Sequence, residues 1–219
     1  MLFFGHSGLT LGAAELLAAV ISGKFSGLRA RGDTAAGDCP GSSSGTAGSL
    51  SPGIAARAGS LSFPRALAKR VDYRLVLLGS LLPDIIDKPL DGVLLAGVYG
   101  SGRIFGHTLV FSLILVLWGI FRYTRSGKAG ALSLSFGTLM HLLTDEMWEV
   151  PRTLFWPLLG WSFEKGDVGH WVSGWLHNLL TNPEVYIPEI LGAIVIAELV
   201  WRLLRKKKLS SFLCTGSID

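Results

Sequence analysis

Apolar residues in this chain come in five runs, roughly 3–22, 75–98, 104–121, 131–150 and 186–204. Each is near the ~20 residues that a helix needs to cross ~30 Å of hydrocarbon. Positions 109–121 are almost unbroken, and 190–204 carry only Glu198 and Arg202 as charges. The pattern predicts an all-α, polytopic helical membrane protein with about five transmembrane helices. The second run is the least regular. Pro83 interrupts it, and Lys88-Pro89 argues against a straight helix, because proline lacks a backbone donor and clashes with the preceding turn. A helix is expected from about Tyr73 into Asp87, then a broken or re-entrant stretch over 88–102. Residues 23–62 differ in kind. They are rich in Gly, Ser and Ala with little apolar periodicity, and such a tract cannot bury enough surface to offset its chain entropy. The expected organisation is a first transmembrane helix (1–22), a flexible Gly/Ser-rich cytoplasmic insertion (23–72), a four-helix membrane core (73–204) and a basic cytoplasmic tail (205–219).

Composition agrees. Hydrophobic residues make up 49% and charged residues 16%, with mean hydropathy +0.46. A soluble domain carries about 25% charged residues, so this chain lacks the charge to solvate an ordinary surface. The cations fix an orientation. Of twenty Lys and Arg, eight lie in 23–74, three in 122–130 and five in 202–208, while 88–106 and 146–186 hold two each. In a five-helix arrangement the three rich blocks share one side, which the positive-inside rule places in the cytoplasm. The N-terminus is then outside and the C-terminus inside. A net charge of +4 and a pI near 9.2 do not point to nucleic acid, because the cations flank apolar segments without aromatic interleaving. Cys39 and Cys214 are far apart in polar flanks and read as free thiols. Met1-Leu2-Phe3-Phe4 lacks the basic start of a secretory signal, so the first helix is expected to be retained.

Ionisable residues inside apolar runs are costly and mark function. Here they are His6, Glu15, Asp84, Asp87, His107, His141, Asp145, Glu189 and Glu198. His141 and Asp145 are four apart and share a helix face, which lets an imidazole and a carboxylate grip one cation or bond to a neighbouring helix. Asp84 and Asp87 are three apart and repel each other unless a proton, a metal or Lys88 supplies positive charge. Helix capping by Asp84 after Pro83 is the structural alternative, and it leaves Asp87 unexplained. In the five-helix arrangement His6 and His107 begin inward-going helices, whereas the aspartates and His141 lie late in outward-going ones. All six then fall in the outer half of the membrane. Imidazole nitrogen with carboxylate oxygen suits a divalent metal, Zn first and Mn or Fe next, better than Ca or Mg. Six donors exceed one tetrahedral site, so some orient the others or two ions sit ~3.5–4 Å apart.

Weaker features lie on the same side. His170 and His177 are seven apart, a rise of about 10 Å on a helix, too far to share one metal. Trp156, Trp161, Trp171 and Trp175 read as an interfacial aromatic belt or a lipid-headgroup platform. Glu164, Asp167 and Glu184 read as a solvated face, and Glu198 as a snorkelling residue. No Gly-x-Ser-x-Gly elbow, P-loop or dinucleotide fingerprint occurs.

With these residues in view, the chain resembles the LexA-binding, inner-membrane-associated family of membrane-bound metal-dependent hydrolases. The matching stretches begin with Phe4-Gly5-His6-Ser7-Gly8-Leu9-Thr10-Leu11-Gly12 and Leu78-Gly79-Ser80-Leu81-Leu82-Pro83-Asp84-Ile85-Ile86-Asp87-Lys88-Pro89. Gly106-His107-Thr108-Leu109, then Gly137-Thr138-Leu139-Met140-His141-Leu142-Leu143-Thr144-Asp145, and finally Leu154-Phe155-Trp156-Pro157-Leu158 complete them. The resemblance implies a cytoplasmic (inner) membrane protein whose His6, Asp84, Asp87, His107, His141 and Asp145 hold a hydrolytic metal. There is one departure. Family members often show Asp-x-Asp-His after the proline, whereas here two isoleucines separate the aspartates and Lys88 stands where His would. That implies a ligand missing or replaced. The expected function is a membrane-embedded hydrolase using metal-activated water, on an amphiphilic lipid or phosphoester substrate from the bilayer. His6 and Asp87 are the expected catalytic pair, as second-ion ligands or as general base and orienter. A proton- or cation-handling transporter and a scaffold for a cytoplasmic partner are the alternatives. The transporter should show repeated halves, and the chain has one break and no repeat.

Overall fold

The computed structural model describes residues 3–22, 70–91, 102–163, 177 and 179–218. The chain divides into one unit of Met1–Ala14 with Val71–Asp219 and a second of Glu15–Arg70. The insertion expected over 23–72 and the break expected over 88–102 lie mostly outside the described residues. Among the described residues every regular element is helical: α1 (Phe3–Ser22), α2 (Tyr73–Pro89), α3 (Leu109–Ser126), α4 (Gly130–Thr144), a 3-10 turn (Met147–Glu149), α5 (Pro151–Leu154), α6 (Pro183–Arg205) and α7 (Leu209–Thr215).

The helix ends follow from local chemistry. Asp72 caps α2 by accepting from the N–H groups of Arg74 and Leu75, Thr108 caps α3 through Phe111, and Asn182 caps α6 through Glu184. Gly127 adopts the left-handed conformation that ends α3. The start of α1 is capped from a distance. The buried Glu189 of α6 accepts from the N–H groups of Phe4 and Gly5, both at 3.0 Å. A carboxylate there satisfies orphan donors and meets the positive end of the helix dipole. Glu189 is therefore an ionisable residue in an apolar run with a structural partner.

Helix pairs approach closely where glycines face each other. A Cβ on Gly79 would lie 2.2 Å from the Leu134 carbonyl oxygen, and one on Gly137 2.3 Å from that of Val76. Only hydrogen fits between α2 and α4 at this crossing, as in small-residue interfaces of membrane helices. Gly8 of α1 and Gly192 of α6 meet in the same way. Pro83 lies inside α2 and leaves the Gly79 carbonyl without its usual helical donor. The Thr138 hydroxyl of α4 shares its proton between that carbonyl, at 3.3 Å, and the Leu134 carbonyl of its own helix, at 3.2 Å.

One apolar cluster joins Leu11, Ala14, Tyr73, Val76, Leu199, Leu203 and Phe212, at the end where α2 begins and α6 finishes. A smaller one, Leu142, Met147 and Leu154, lies where α4 finishes.

Three boundaries differ from the sequence reading. α2 continues through Pro89, and the Leu90 N–H closes its last turn on the Asp87 and Ile86 carbonyls. α3 begins at Leu109, which leaves His107 in the preceding loop. α4 stops at Thr144, short of position 150, because Asp145 leaves helical geometry and Glu146 takes a left-handed φ of 52°. Among the described residues two helices, α1 and α3, are long and apolar enough to cross a bilayer, and α4 is apolar but shorter. The count of five spans rests on the apolar runs of the sequence.

Candidate metal centre

The far ends of α2 and α4, the start of α1 and the loop before α3 converge. They bring together all six residues singled out from the sequence. His6, Asp87, His107 and His141 are buried, at 0–1% exposure, and the Asp145 side chain is 6% exposed. Asp84 is the most open, with 24% of its side chain exposed.

Each histidine has its Nδ1 engaged. His141 Nδ1 donates to the Ser80 carbonyl oxygen at 2.6 Å. A carbonyl only accepts, so the proton sits on Nδ1 and the neutral ring has a lone pair on Nε2. His107 Nδ1 donates to Asp87 Oδ2 at 2.7 Å, with the same consequence. The Thr144 hydroxyl spends its proton on the His141 carbonyl at 3.1 Å, and so accepts from His6 Nδ1 at 2.7 Å. With Nδ1 engaged on each ring, the Nε2 atoms of all three point inward, and each is free to ligate when the ring is neutral.

What they meet is one another and two carboxylates. The Nε2 atoms of His107 and His141 are 3.2 Å apart. His6 Nε2 lies 3.4 Å from Asp145 Oδ1, and His107 Nε2 lies 3.7 Å from Asp84 Oδ1 and 3.8 Å from Asp145 Oδ2. The His6 ring stacks on that of His141 with centroids 4.3 Å apart. Facing lone pairs and carboxylates repel unless a proton or a metal ion lies among them. Two nitrogens on one tetrahedral zinc, with bonds of ~2.0–2.1 Å, would be roughly 3.3 Å apart. Two triads have their donor atoms mutually within 4.8 Å: His6, Asp84 and His141, and His107, His141 and Asp145. His141 belongs to both. The donor set and its spacing fit a divalent metal.

Asp87 has a different place from the one expected of a ligand. Its Oδ1 accepts from the Gly106 N–H at 2.8 Å, and its Oδ2 from the N–H groups of Ile104 and His107 at 2.7 and 3.2 Å besides the imidazole. Both oxygens are turned to the loop before α3, and Asp87 falls in neither triad. A Cβ on Gly106 would lie 3.1 Å from Asp87 Oδ1 and 2.9 Å from the Pro83 Cα, so only glycine lets this loop seat so closely. Lys88 pairs with Asp84 Oδ2 at 2.8 Å, which supplies part of the neutralisation that two adjacent carboxylates require.

Several contributors escaped the sequence reading. Arg103 Nη2 pairs with Asp145 Oδ2 at 2.8 Å. Its one sequence signal was its place among the few cations outside the three basic blocks. Ser80 acts through its carbonyl and Thr144 through a relayed hydrogen bond, and neither leaves a mark in residue type. Trp156 packs with Phe105, Trp161 and Phe163 in an aromatic group, with Trp161 76% exposed. His177 and Glu184 are exposed, and Glu198 pairs with Arg202 one helical turn on, at 3.5 Å. His170, Trp171, Trp175, Glu164 and Asp167 lie outside the described residues.

A family model described as YdjM inner membrane protein matches residues 46–209, well over half of the chain. No curated protein matches the chain, and no solved structure does. The matched span holds five of the six clustered residues, with His6 preceding it. The chain belongs to the YdjM inner membrane protein family, the LexA-binding, membrane-bound metal-dependent hydrolases whose motifs it carries.

Proposed function

We propose that the chain is a membrane-embedded metal-dependent hydrolase, with a phosphoester or lipid substrate, whose centre is held by His6, Asp84, His107, His141 and Asp145. The observation that carries this reading is the inward convergence of three imidazole Nε2 atoms, two of them 3.2 Å apart, beside two carboxylates. A divalent ion there, Zn first and Mn or Fe next, would polarise an ester and ease deprotonation of water. The chain's own residues have separate tasks. Asp87 and Ser80 fix the rings of His107 and His141 so that Nε2 faces inward. In this reading Asp87 orients His107 and does not ligate, which is the second of the roles expected for it. Thr144 does for His6 what Ser80 does for His141.

The arrangement also supports the five-span topology. α2 and α4 begin at the end rich in cations, α3 and α6 finish there, and the centre lies at the opposite end of these helices. The centre then faces the non-cytoplasmic headgroup layer and Cys214 the cytoplasm. In a Cys39→Ser background, exposed Cys214 should react with an impermeant thiol reagent only after right-side-out cells are opened. Labelling of intact cells would reverse the orientation.

Metal content of detergent-purified protein tests the centre. His141→Ala should lose all bound metal, because His141 belongs to both triads. Asp84→Ala and Asp145→Ala separate one ion from two: with two ions each loses about one equivalent, and with one ion each weakens the whole. Stoichiometric metal in His141→Ala sinks the reading. One proton shared between His107 and His141 at 3.2 Å would favour proton handling instead. Wild type without tightly bound metal, together with proton flux in liposomes abolished by His141→Ala, would install that second reading.

A further inference from the structure

Arg103 stands where the centre meets open space. It lines a cavity of about 510 Å³ with Thr144, Asp145, Glu146, Asn182 and Glu184. Thr144 and Asp145 also contact His6, so the cavity abuts the centre at Asp145. The Arg103 backbone is anchored on both flanks: the Gly102 N–H donates to Asp91 Oδ2 at 2.6 Å, and the Ile104 N–H to Asp87 Oδ2 at 2.7 Å. The carboxylate that orients His107 thus also fixes the position of Arg103. The guanidinium rests on Asp145 at 2.8 Å, yet 41% of the side chain is exposed towards solvent. Its planar fork of donors suits phosphate oxygens far better than a lysine point charge would.

The surroundings limit what charge can enter. Among the described residues, the cavity lining holds one basic side chain, Arg103, against four acidic ones, Asp145, Glu146, Glu149 and Glu184. The three lining glutamates repel a polyanion more strongly than a singly charged group, for which Arg103 is the cationic contact among the described residues.

We propose that Arg103 is the anion-recognising residue of this centre, engaging a non-bridging oxygen of a phosphodiester that carries one negative charge. The inference rests on the hydrolase reading and names its substrate class. In the reaction the oxygen of water bonds to phosphorus and the phosphorus–oxygen bond to the departing alcohol breaks. The alcohol leaves with one proton of the water, and the phosphomonoester keeps or releases the other. The diester is carried either by a lipid headgroup or by a soluble glycerophosphodiester.

The test uses full-length protein in detergent, with metal content measured on the same samples. Glycerophosphoethanolamine and inorganic phosphate are titrated calorimetrically into wild type, Arg103→Gln and Arg103→Lys. Phosphatidylethanolamine in bicelles forms a parallel arm, followed by phosphorus NMR. The expected result is unchanged metal in both variants and at least about tenfold weaker diester binding in Arg103→Gln, the loss for one charge-assisted contact. Arg103→Lys should fall between, and inorganic phosphate should bind wild type more weakly than the diester. Binding confined to bicelles assigns the lipid, and binding of the free headgroup assigns the soluble ester. Wild-type affinity in metal-bearing Arg103→Gln overturns the proposal, as does metal-bearing wild type that binds neither diester. Loss of metal together with ligand in both variants also overturns it, since Arg103 then merely secures Asp145. Diester binding that depends on Arg103 in protein devoid of metal would sink the hydrolase reading and leave the Arg103 assignment standing.

Discussion

α3 and α4 look alike in hydropathy and are opposites in space. α3 buries only Ser112 and Gly119, and exposes Leu113, Ile114, Leu117, Trp118 and Phe121. α4 buries Ser133, Ser135, Gly137, Thr138, His141 and Leu142, so its interior stripe is almost entirely small or polar. In water such a helix would be inside out. In lipid the outer solvent is already apolar, so burial of leucine yields little. Association then depends on close packing and on hydrogen bonds that lipid cannot provide. α3 serves as surface and α4 as the working face. Ser133, Gly137 and His141 recur every four residues and form one line from the start of α4 to the centre. That line carries the Ser133 bond to the Asp72 N–H, the glycine crossing with α2 and the imidazole itself.

The largest expected effect comes from breaking that line at its closest point. Gly137→Leu would place a side chain where even Cβ lies 2.3 Å from the Val76 carbonyl oxygen. Backbone faces backbone there, so no side chain can yield, and α2 must separate from α4. Separation would also take the Ser80 carbonyl from His141. More than about 4 kcal/mol of destabilisation is expected, with loss of bound metal. Thermal unfolding in detergent and metal content check it. On α3 the milder change Gly119→Ala meets the flexible end of Leu132 at 2.9 Å and backbone only at 3.1 and 3.2 Å, and should cost far less. Equal effects at the two glycines would erase the distinction between the helices.

Breaking the Asp87 anchor comes next. Asp87→Ala leaves the N–H groups of Ile104, Gly106 and His107 without their acceptor, and frees the His107 ring. Loss of one partner of a buried charged network costs about 3–5 kcal/mol. Asp87→Asn keeps the shape and one acceptor oxygen, so it should retain more stability while weakening metal retention through His107 orientation. Parallel unfolding and metal assays separate the two variants, and metal retained by both would remove Asp87 from the centre.

The sequence carried the identity of the six clustered residues because ionisable groups in apolar runs are rare and each needs a reason. The helical repeat placed His141 and Asp145 on one side, although Asp145 proves to lie just past the helix. It could not carry the backbone's share. The Ser80 carbonyl, the loop N–H groups on Asp87 and the left-handed turn at Glu146 are set by tertiary approach, and any residue supplies a carbonyl. Asp87 and Asp84 were indistinguishable by spacing. Their environments separate them, since one faces the loop and the other faces Lys88 and His107. Arg103 was legible only as a cation on the sparsely charged side.

Smaller effects follow from single hydrogen bonds. Thr138→Val keeps the volume but removes the donor to the Gly79 carbonyl, which Pro83 has already left without its helical partner. About 0.6–2 kcal/mol should be lost, from the low value typical of membrane helices to that of an unsatisfied buried acceptor. Ser112 sharpens the contrast. Its hydroxyl is buried on α3 with no partner, so Ser112→Ala should leave stability unchanged or raise it by up to about 1 kcal/mol. The same loss of a hydroxyl is thus expected to have opposite signs on the two helices, which unfolding of both variants in one detergent would show.

The smallest expected effect belongs to the outer face of α3. Leu113 and Leu117 are each 57% exposed, one turn apart. In a soluble protein their exposure would be a liability and Ala in their place a gain in solubility. Against lipid, neither residue packs into the protein, so Leu113→Ala and Leu117→Ala should each change stability by less than about 0.5 kcal/mol. Metal content should not change. A charge tells the two environments apart more sharply than alanine. Leu117→Lys, near the middle of an 18-residue apolar helix, should fail to insert or fold, at a cost of about 2.5–3.5 kcal/mol. If the lysine variant folds and holds metal as well as the alanine variant does, α3 faces water or another protein there, and its difference from α4 has some cause other than lipid.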